Sequence, residues 1–572
     1  MRIAAILLSA TALIAPAAAF AQDIAAQDGV APGGALPTAG VTGGGTGSAR
    51  PRTSVTAYVE LDQGVLADLN RDDTVAYAQV AAGVDAAIST ARAQGQLSVR
   101  YERQIPETGD YGGADIVTGL ARGAYQVARP LTIEAGAIAT RTRVDIRGAA
   151  PGITDVGDAA NIAQVYSIYA GPTLATSAGP VAIGASYRFG YTKADTPYTT
   201  GLAGAPRVDY FDDSIGHEVQ ASVGVAPGRV LPFGVTLSGG YARETASQLS
   251  QRYEDTYGRG DVLMPVTPTL ALTAGVGYQH IQVSQKDPVV DAAGVAVTDR
   301  NGRYVTDQAS PRRIAYDTDG LIYDAGVVWR PSPRTSLTAT VAHEYDSTSY
   351  TGQFDWQIDR SVAFQAAAYD GIETFGHQLR VGLQGLPTSF ADQQDSFGQQ
   401  FNGCVFGNGS AGSGGAGGCL NDVFQSLTNA SYRARGIEAV LSASHGLNRF
   451  GIGAGYSNRH LFSPRVAPGL SVLGVDDDSY FLQGFYARQL GRRSSFDANL
   501  FANWYDSTLP GVSGTGLTGT SGDVFGAGAT GAYNRSFGRL GTTAQLGVYY
   551  FDQQRFYDQW TAQALVGARY QF

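Results

Sequence analysis

Cys404 and Cys419 are the only cysteines in the 572 residues, and they flank a Gly/Ser-rich tract running from Gly407 to Gly418. Two thiols at this spacing can hold a metal ion or close a loop. A metal would need further ligands, and no histidine lies near either cysteine, so a Cys404–Cys419 disulfide formed in an oxidising compartment is the expectation. The six histidines, His217, His280, His343, His377, His445 and His460, lie on separate segments without an HExxH pattern or shared spacing. Each reads as a satisfied or solvent-facing side chain. Two groupings could serve a catalytic centre at a rim if the fold brought them together: His343 with Glu344, and Asp212 and Asp213 with His217. Asp317-Thr318-Asp319-Gly320 and Asp476-Asp477-Asp478 resemble pieces of calcium loops but lack the remaining ligand spacing, so solvated acids are expected there. The Ser-rich tract has no strand-turn-helix setting for a nucleophile elbow. The expectation is no enzyme, no cofactor and no metal.

The elements that must position these residues are strands. A charged start at Arg2, an apolar run from Ile3 to Ile14 and a small-residue site at Ala19-Phe20-Ala21 read as a secretory leader over 1–21. No later stretch offers ~18 consecutive apolar residues, so any membrane crossing must be made by strands. Residues 22–52 are rich in Gly, Pro and Ala without periodicity and read as a flexible periplasmic lead. From Thr53 to Phe572 the chain is a train of alternating apolar and polar residues in segments of about 10 residues, the mark of a membrane barrel strand. Tight turns and longer polar loops separate the segments by turns. Seventy-five glycines, 31 tyrosines and only two lysines, Lys193 and Lys286, suit tight turns and aromatic girdles better than a soluble core. A formal net charge of −10 argues against nucleic acid as a partner.

The fold expected is therefore all-β: a transmembrane antiparallel β-barrel of about 22 strands, with a range of 18 to 24. The third strand shows the pattern well, with Leu97, Val99 and Tyr101 on one face and Ser98, Arg100 and Glu102 on the other. Charges on such strands must face water, which makes Arg100, Glu102, Arg188, Asp324, Arg330, Asp355, Glu438 and Arg569 the candidates to line a pore. The segment 254–264 is the weakest strand. Residues 286–313 carry two turn sequences, Asp291 to Gly294 and Asp299 to Gly302, that suit a protruding hairpin. Residues 371–429 form the largest irregular region and contain both cysteines. Short amphipathic helices over Phe390–Phe401 and Leu420–Leu427 are expected, with the loop folding inward to occlude the lumen.

The last stretch, TAQALVGARYQF, resembles the closing strand of bacterial outer-membrane barrels, in which Tyr570 and Phe572 would be the signal read by the barrel assembly machinery. The segment Asp319–Phe375 resembles the outer-membrane protein family associated with PEP-CTERM/exosortase systems. The resemblance rests on Gly320, Tyr323, Gly326, Trp329, Pro331, Ser332, Arg334, Thr335, Ser336 and Leu337. It implies a porin-like conduit in the outer membrane of a Gram-negative bacterium, tied to exopolysaccharide secretion or surface assembly. Its partners would be lipid, lipopolysaccharide and polysaccharide or export proteins. The alternatives are a closed structural or adhesive scaffold and, further off, a rim-sited enzyme. An energy-coupled receptor would need a large amino-terminal plug, unless loop 371–429 did the plugging.

Overall fold

The computed structural model describes residues 52–572 except 71–72, 109–112, 145–161, 197–210, 300–302, 392–400, 402, 408–414, 465–474, 509–522 and 554–556. The expected leader and lead lie outside these residues, save Arg52, which already opens the first strand. Hairpins follow one another: β1 (Arg52–Asp68), β2 (Asp73–Ser89), β3 (Ala93–Pro106), β4 (Ala114–Ala128), β5 (Leu131–Arg143), β6 (Ile162–Ala178), β7 (Val181–Asp195), β8 (Asp213–Val225), β9 (Gly234–Ala246), β10 (Arg252–Thr267), β11 (Leu270–Gln285), β12 (Arg313–Ser332), β13 (Thr335–Glu344), β14 (Ser347–Gln357) and β15 (Val362–Glu373). An inserted segment then carries helix α1 (Phe375–Gly385) and the short strands β16 (Cys404–Phe406) and β17 (Gly417–Cys419). The hairpins resume with β18 (Ser431–His445), β19 (Asn448–Phe462), β20 (Asp476–Gly491), β21 (Ser494–Thr508), β22 (Val524–Phe537), β23 (Leu540–Gln553) and β24 (Tyr557–Gln571).

Twenty-two of these strands form one antiparallel sheet, and β1 pairs with β24 from Tyr58↔Gln571 to Asp68↔Thr561. Closure leaves no unpaired edge, the condition for placing strands in lipid. The weak segment at 254–264 is a full strand, β10, paired on both sides, because its neighbours supply ladder partners whatever its own apolar content. No helix among the described residues is long and apolar enough to cross a membrane; the strands do the crossing.

Alternation decides the two faces. On β3, Leu97, Tyr101 and Ile105 are exposed outward while Ser98, Arg100, Glu102 and Gln104 are buried inside. An outward aromatic belt near the loop end includes Tyr187, Tyr241, Tyr278, Tyr480, Trp504 and Trp560; a second near the turn end includes Tyr125, Trp329, Trp356, Tyr486, Tyr533 and Tyr570. Two girdles flanking an apolar band are what two membrane interfaces require. This is the architecture of a Gram-negative outer-membrane barrel. Tight turns and both ends of the sheet, Arg52 and Gln571, lie at one rim, which is the periplasmic one, so the long connections are external.

The external loop 286–312 forms bridges Pro288↔Thr306, Val290↔Ala296 and Thr298↔Tyr304. Asp291 accepts the Ala293 and Val295 N–H groups, fixing the first expected turn. The inserted segment differs from expectation. Its helix lies at Phe375–Gly385, where Thr374 caps it by accepting the His377 N–H at 3.2 Å. Phe375, Leu379 and Leu383 repeat every fourth residue, giving one apolar stripe. The polar His377, Gln378 and Arg380 on the remaining turns hide that stripe in the sequence. Phe390 is extended in a bridge to Gly407, and 392–400 lie outside the described residues. Within Leu420–Leu427 there is only a 3-10 turn at Val423–Gln425.

Candidate functional site

The site is the lumen, and the segment between β15 and β18 occupies it. On one side Phe375, Leu379, Leu383, Leu386, Phe390, Val405, Leu420 and Phe424 share an apolar cluster with Leu120, Ile138, Val165 and Tyr169 of β4–β6. On the roughly opposite side Cys404, Phe406 and Cys419 pack with Val440, Phe481 and Phe485 of β18 and β20. An inward apolar patch on each wall is unusual in a water-filled barrel, and the inserted segment covers both.

Polar contacts fix its depth. At the external end Glu244 of β9 accepts from Thr374 Oγ1 at 2.8 Å and from Arg380 Nη2 at 2.6 Å. Midway down, Arg122 of β4 donates to the carbonyls of Gln384 (2.7 Å) and Leu386 (3.0 Å), placing a cation where the last helical carbonyls gather negative charge. Near the periplasmic rim the Phe390 N–H donates to Gln96 Oε1 at 2.9 Å, three residues into β3. The chain then crosses to β18–β20, where the Cys404 N–H donates to Gln483 Oε1 at 2.6 Å and Ser442 donates to the Ala416 carbonyl. The expected Cys404–Cys419 disulfide is present and closes the β16–β17 hairpin.

The return path is held at the external end of the barrel. Thr142 Oγ1 of β5 donates to the Phe424 carbonyl at 3.0 Å, and Arg459 of β19 donates to Ser426 Oγ at 2.7 Å while pairing with Asp477 at 3.1 Å. The Arg143 guanidinium, at the top of β5, lies 4.0 Å from the Tyr505 ring centroid on β21. Tyr316 of β12 and Phe462 of β19 meet at 4.6 Å between centroids over the short β13–β14 hairpin.

Backbone without side chains makes room for this packing. A Cβ on Gly190 would fall 1.8 Å from Arg380 Cδ, and one on Gly216, its partner across β7–β8, 2.1 Å from Arg380 Nη2. A Cβ on Gly453 would fall 2.3 Å from Cys404 Sγ. These glycines form recesses for the inserted segment.

His377 is buried on α1, stacked on Tyr253 at 5.7 Å, with Nδ1 against Glu373. Burial alone would push the imidazole down, but the Glu373 carboxylate outweighs it and raises the group to about 9. Beside it Gln378 donates to Asp422 at 2.9 Å and accepts from Tyr432 OH at 2.6 Å.

All eight candidate pore residues stand on the inward face, five of them in three ion-pair clusters and three apart from these. Arg100, Glu102 and Arg569 converge: Arg100 contacts Glu60 (2.9 Å), Glu102 (2.7 Å) and Asp62 (3.8 Å), and Arg569 shares Glu60. Asp324 meets Arg259 at 2.5 Å, and Arg259 also holds Asp261. Arg188 pairs with Glu134 at 3.0 Å. Arg330, Asp355 and Glu438 stay apart: Arg330 reaches Ser336 at 3.4 Å, Asp355 accepts from Gln353 at 2.9 Å, and Glu438 is half-buried on β18. Residues missed in the sequence include Arg122, Glu244, Arg380, Glu373 and Arg459. Their signal was parity, since each wall residue among them sits on the polar face of its strand.

The rim groupings are not assembled. His343 faces outward on Tyr323 (5.1 Å) while its neighbour Glu344 is buried inside, as strand alternation demands. Asp212 pairs with Arg303, and His217 faces outward between Tyr187 and Phe189. Asp317, Asp319 and Asp476–Asp478 are strand residues instead of loop ligands; Asp477 serves Arg459 and Ser507, and Asp478 accepts from Tyr456 and Asn458.

No family model matches the chain, and no curated protein matches it. Among solved structures it is similar to the alcaligin outer membrane receptor FauA from Bordetella pertussis, at 9% identity over 90% of this chain and 76% of that one, TM-score 0.36. It is also similar to the FrpB iron transporter from Neisseria meningitidis, at 10% identity over 90% and 81% of the two chains, TM-score 0.41. The ferric-catecholate import receptor Fiu from E. coli gives the same values as FrpB. At these values nothing about cargo is carried over, and the barrel stands on its own strand pairing.

Proposed function

We propose that this protein is an outer-membrane conduit held shut by the segment between β15 and β18, which must move for anything to pass. The observation that supports this is the docking of one segment on both walls, from Glu244 near the external mouth to Gln96 near the periplasmic rim. Beside the apolar packing, the polar contacts are mostly side chains meeting single backbone groups, which can be exchanged for water. Away from the two apolar patches the wall is polar, with the Arg100 and Arg259 networks facing inward, as a hydrated passage needs. Mixed charge along that wall suits a polar, uncharged or weakly charged cargo, and polysaccharide linked to the PEP-CTERM/exosortase hairpin resemblance is the cargo class proposed. The test is conductance in planar bilayers of the whole protein and of a form in which 375–429 is replaced by a short Gly/Ser linker. A large, stable conductance in the linker form alone is the expected result. The apolar cluster on β4–β6 favours a second reading, a permanently closed scaffold, and a linker form that never conducts selects it.

A further inference from the structure

Arginines at the tops of β9 and β10 and just before β12 crowd the outer face of the barrel above the external aromatic belt. Arg243 of β9 lies two residues, about 7 Å along the strand, above the outward Tyr241. Arg252 opens β10, and Arg312 precedes β12 and donates to the Ser250 and Ser284 carbonyls at 3.0 and 3.3 Å. Among the described residues one carboxylate serves the group: Glu254 lies 3.7 Å from Arg243 and 3.9 Å from Arg252, too far for direct hydrogen bonds. Arg252 Nε is buried with no hydrogen-bond partner among the described residues. Burial and, after it, the neighbouring Arg252 guanidinium hold Arg312 below the usual arginine range. His217, opposite Arg243 on β8, adds an aromatic flank with Tyr187 and Phe189.

Three guanidinium forks share one acid in a chain of net charge −10, an arrangement that fits an anion from outside the chain. Its height selects the anion. The aromatic belt marks the headgroup level of the external leaflet, and the side chains point out of the barrel, toward lipid and away from the lumen. We propose that Arg243, Arg252 and Arg312 bind the phosphate of a phosphorylated glycolipid headgroup, lipid A, in the external leaflet. Guanidinium forks match phosphate oxygens in pairs, and the acyl chains would lie on the apolar face below, against Val262, Leu237 and Val276. The site is independent of whether the lumen conducts.

The full-length protein in mild detergent is tested by native mass spectrometry with bisphosphorylated lipid A, dephosphorylated lipid A and inorganic phosphate as probes. Saturable binding of the bisphosphorylated form alone is expected, weakened about tenfold or more in the Arg243→Gln/Arg252→Gln double variant and strengthened in Glu254→Gln. Equal binding of the dephosphorylated form, or unchanged binding in the folded double variant, overturns the proposal. Inorganic phosphate bound as tightly as lipid A would show a free-anion site and overturn the lipid assignment. The probe comparison on the unaltered protein and the Glu254→Gln variant decide the matter even if the double variant fails to fold.

Discussion

Arg380 on the inserted helix and Glu244 on the barrel wall meet at 2.6 Å with both side chains buried. The same carboxylate holds the hydroxyl of Thr374, the residue that caps that helix. One wall residue thus fixes both the position of α1 and its first turn. Glu244→Ala leaves Arg380 buried without its partner, a change that costs about 3 kcal/mol or more when no water can enter. The strand ladders are untouched, so the cost should fall on docking of the segment. Expected are a normally inserted barrel and frequent channel openings in planar bilayers where the unaltered protein is quiet. Unchanged conductance would show that the pair does not hold the segment in place.

Gly190 and Gly216 test the same contact without altering charge. A side chain at either position must displace the Arg380 stem, whose nearest atoms lie 1.8 and 2.1 Å from the two built Cβ positions. Gly190→Val should raise conductance as Glu244→Ala does. In an Arg380→Ala background the three atoms nearest the built Cβ are gone, so the two changes should be far from additive. Additive effects would place the valine's influence elsewhere.

The disulfide ties residues 15 apart, and closing a loop of that length stabilises by about 3 kcal/mol in the chain-entropy account. Here it shapes a hairpin that fits against Gly453 on β19. Cys404→Ala/Cys419→Ala should leave the heat-modifiable mobility of the barrel unchanged and make the 404–419 stretch sensitive to protease. Resistance equal to that of the unaltered protein would show that the wall contacts alone hold the hairpin.

The sequence made the barrel readable because every strand repeats one rule, and a period of two survives local noise. Val59 and Leu61 point out and Glu60 and Asp62 point in, whichever neighbours they find. The disulfide was readable because only one pairing exists. What stayed hidden was the inserted segment's path. Its anchors are single residues on distant strands, Gln96, Arg122, Glu244 and Gln483, each indistinguishable by itself from any other inward polar residue. The glycine recesses were equally hidden, because glycine also serves turns and close strand packing throughout the chain. Helix α1 was missed because His377, Gln378 and Arg380 interrupt the stripe of Phe375, Leu379 and Leu383 within a region that reads as irregular.

His377 gives the docking a pH dependence. Its pKa in the folded protein is about 9, above the ~6.5 of a free imidazole, so its charged form is stabilised by folding. That contribution is complete below about pH 6.5 and fades as pH rises through 9. The groups around it are Glu373, Glu218, Asp255, Arg380 and the stacked Tyr253. Losing the imidazolium leaves Glu373 without its partner at the start of the segment. Channel openings should therefore increase between pH 7 and 10 and return on acidification. In His377→Gln the rise should be absent. A rise that persists in this variant would assign it to another group.

Phe572 lies beyond the last ladder residue, yet its N–H donates to the Ala57 carbonyl at 2.9 Å, and its ring meets Tyr570 edge-on at 5.2 Å. The contact sits at the periplasmic rim of the β1–β24 seam, the pairing that closes the ring. One hydrogen bond of this kind is worth only about 1 kcal/mol, too little to decide whether so long a ladder forms. Deleting Phe572 should then barely change the unfolding of barrels already assembled. Delivery is another matter, because an exposed aromatic at this rim is available before closure, when an assembly factor must recognise the strand. The expected result is a reduced yield of heat-modifiable protein in the outer membrane together with unaltered stability of the fraction that arrives. An equal fall in both would make Phe572 part of the seam's strength instead of a signal for its formation.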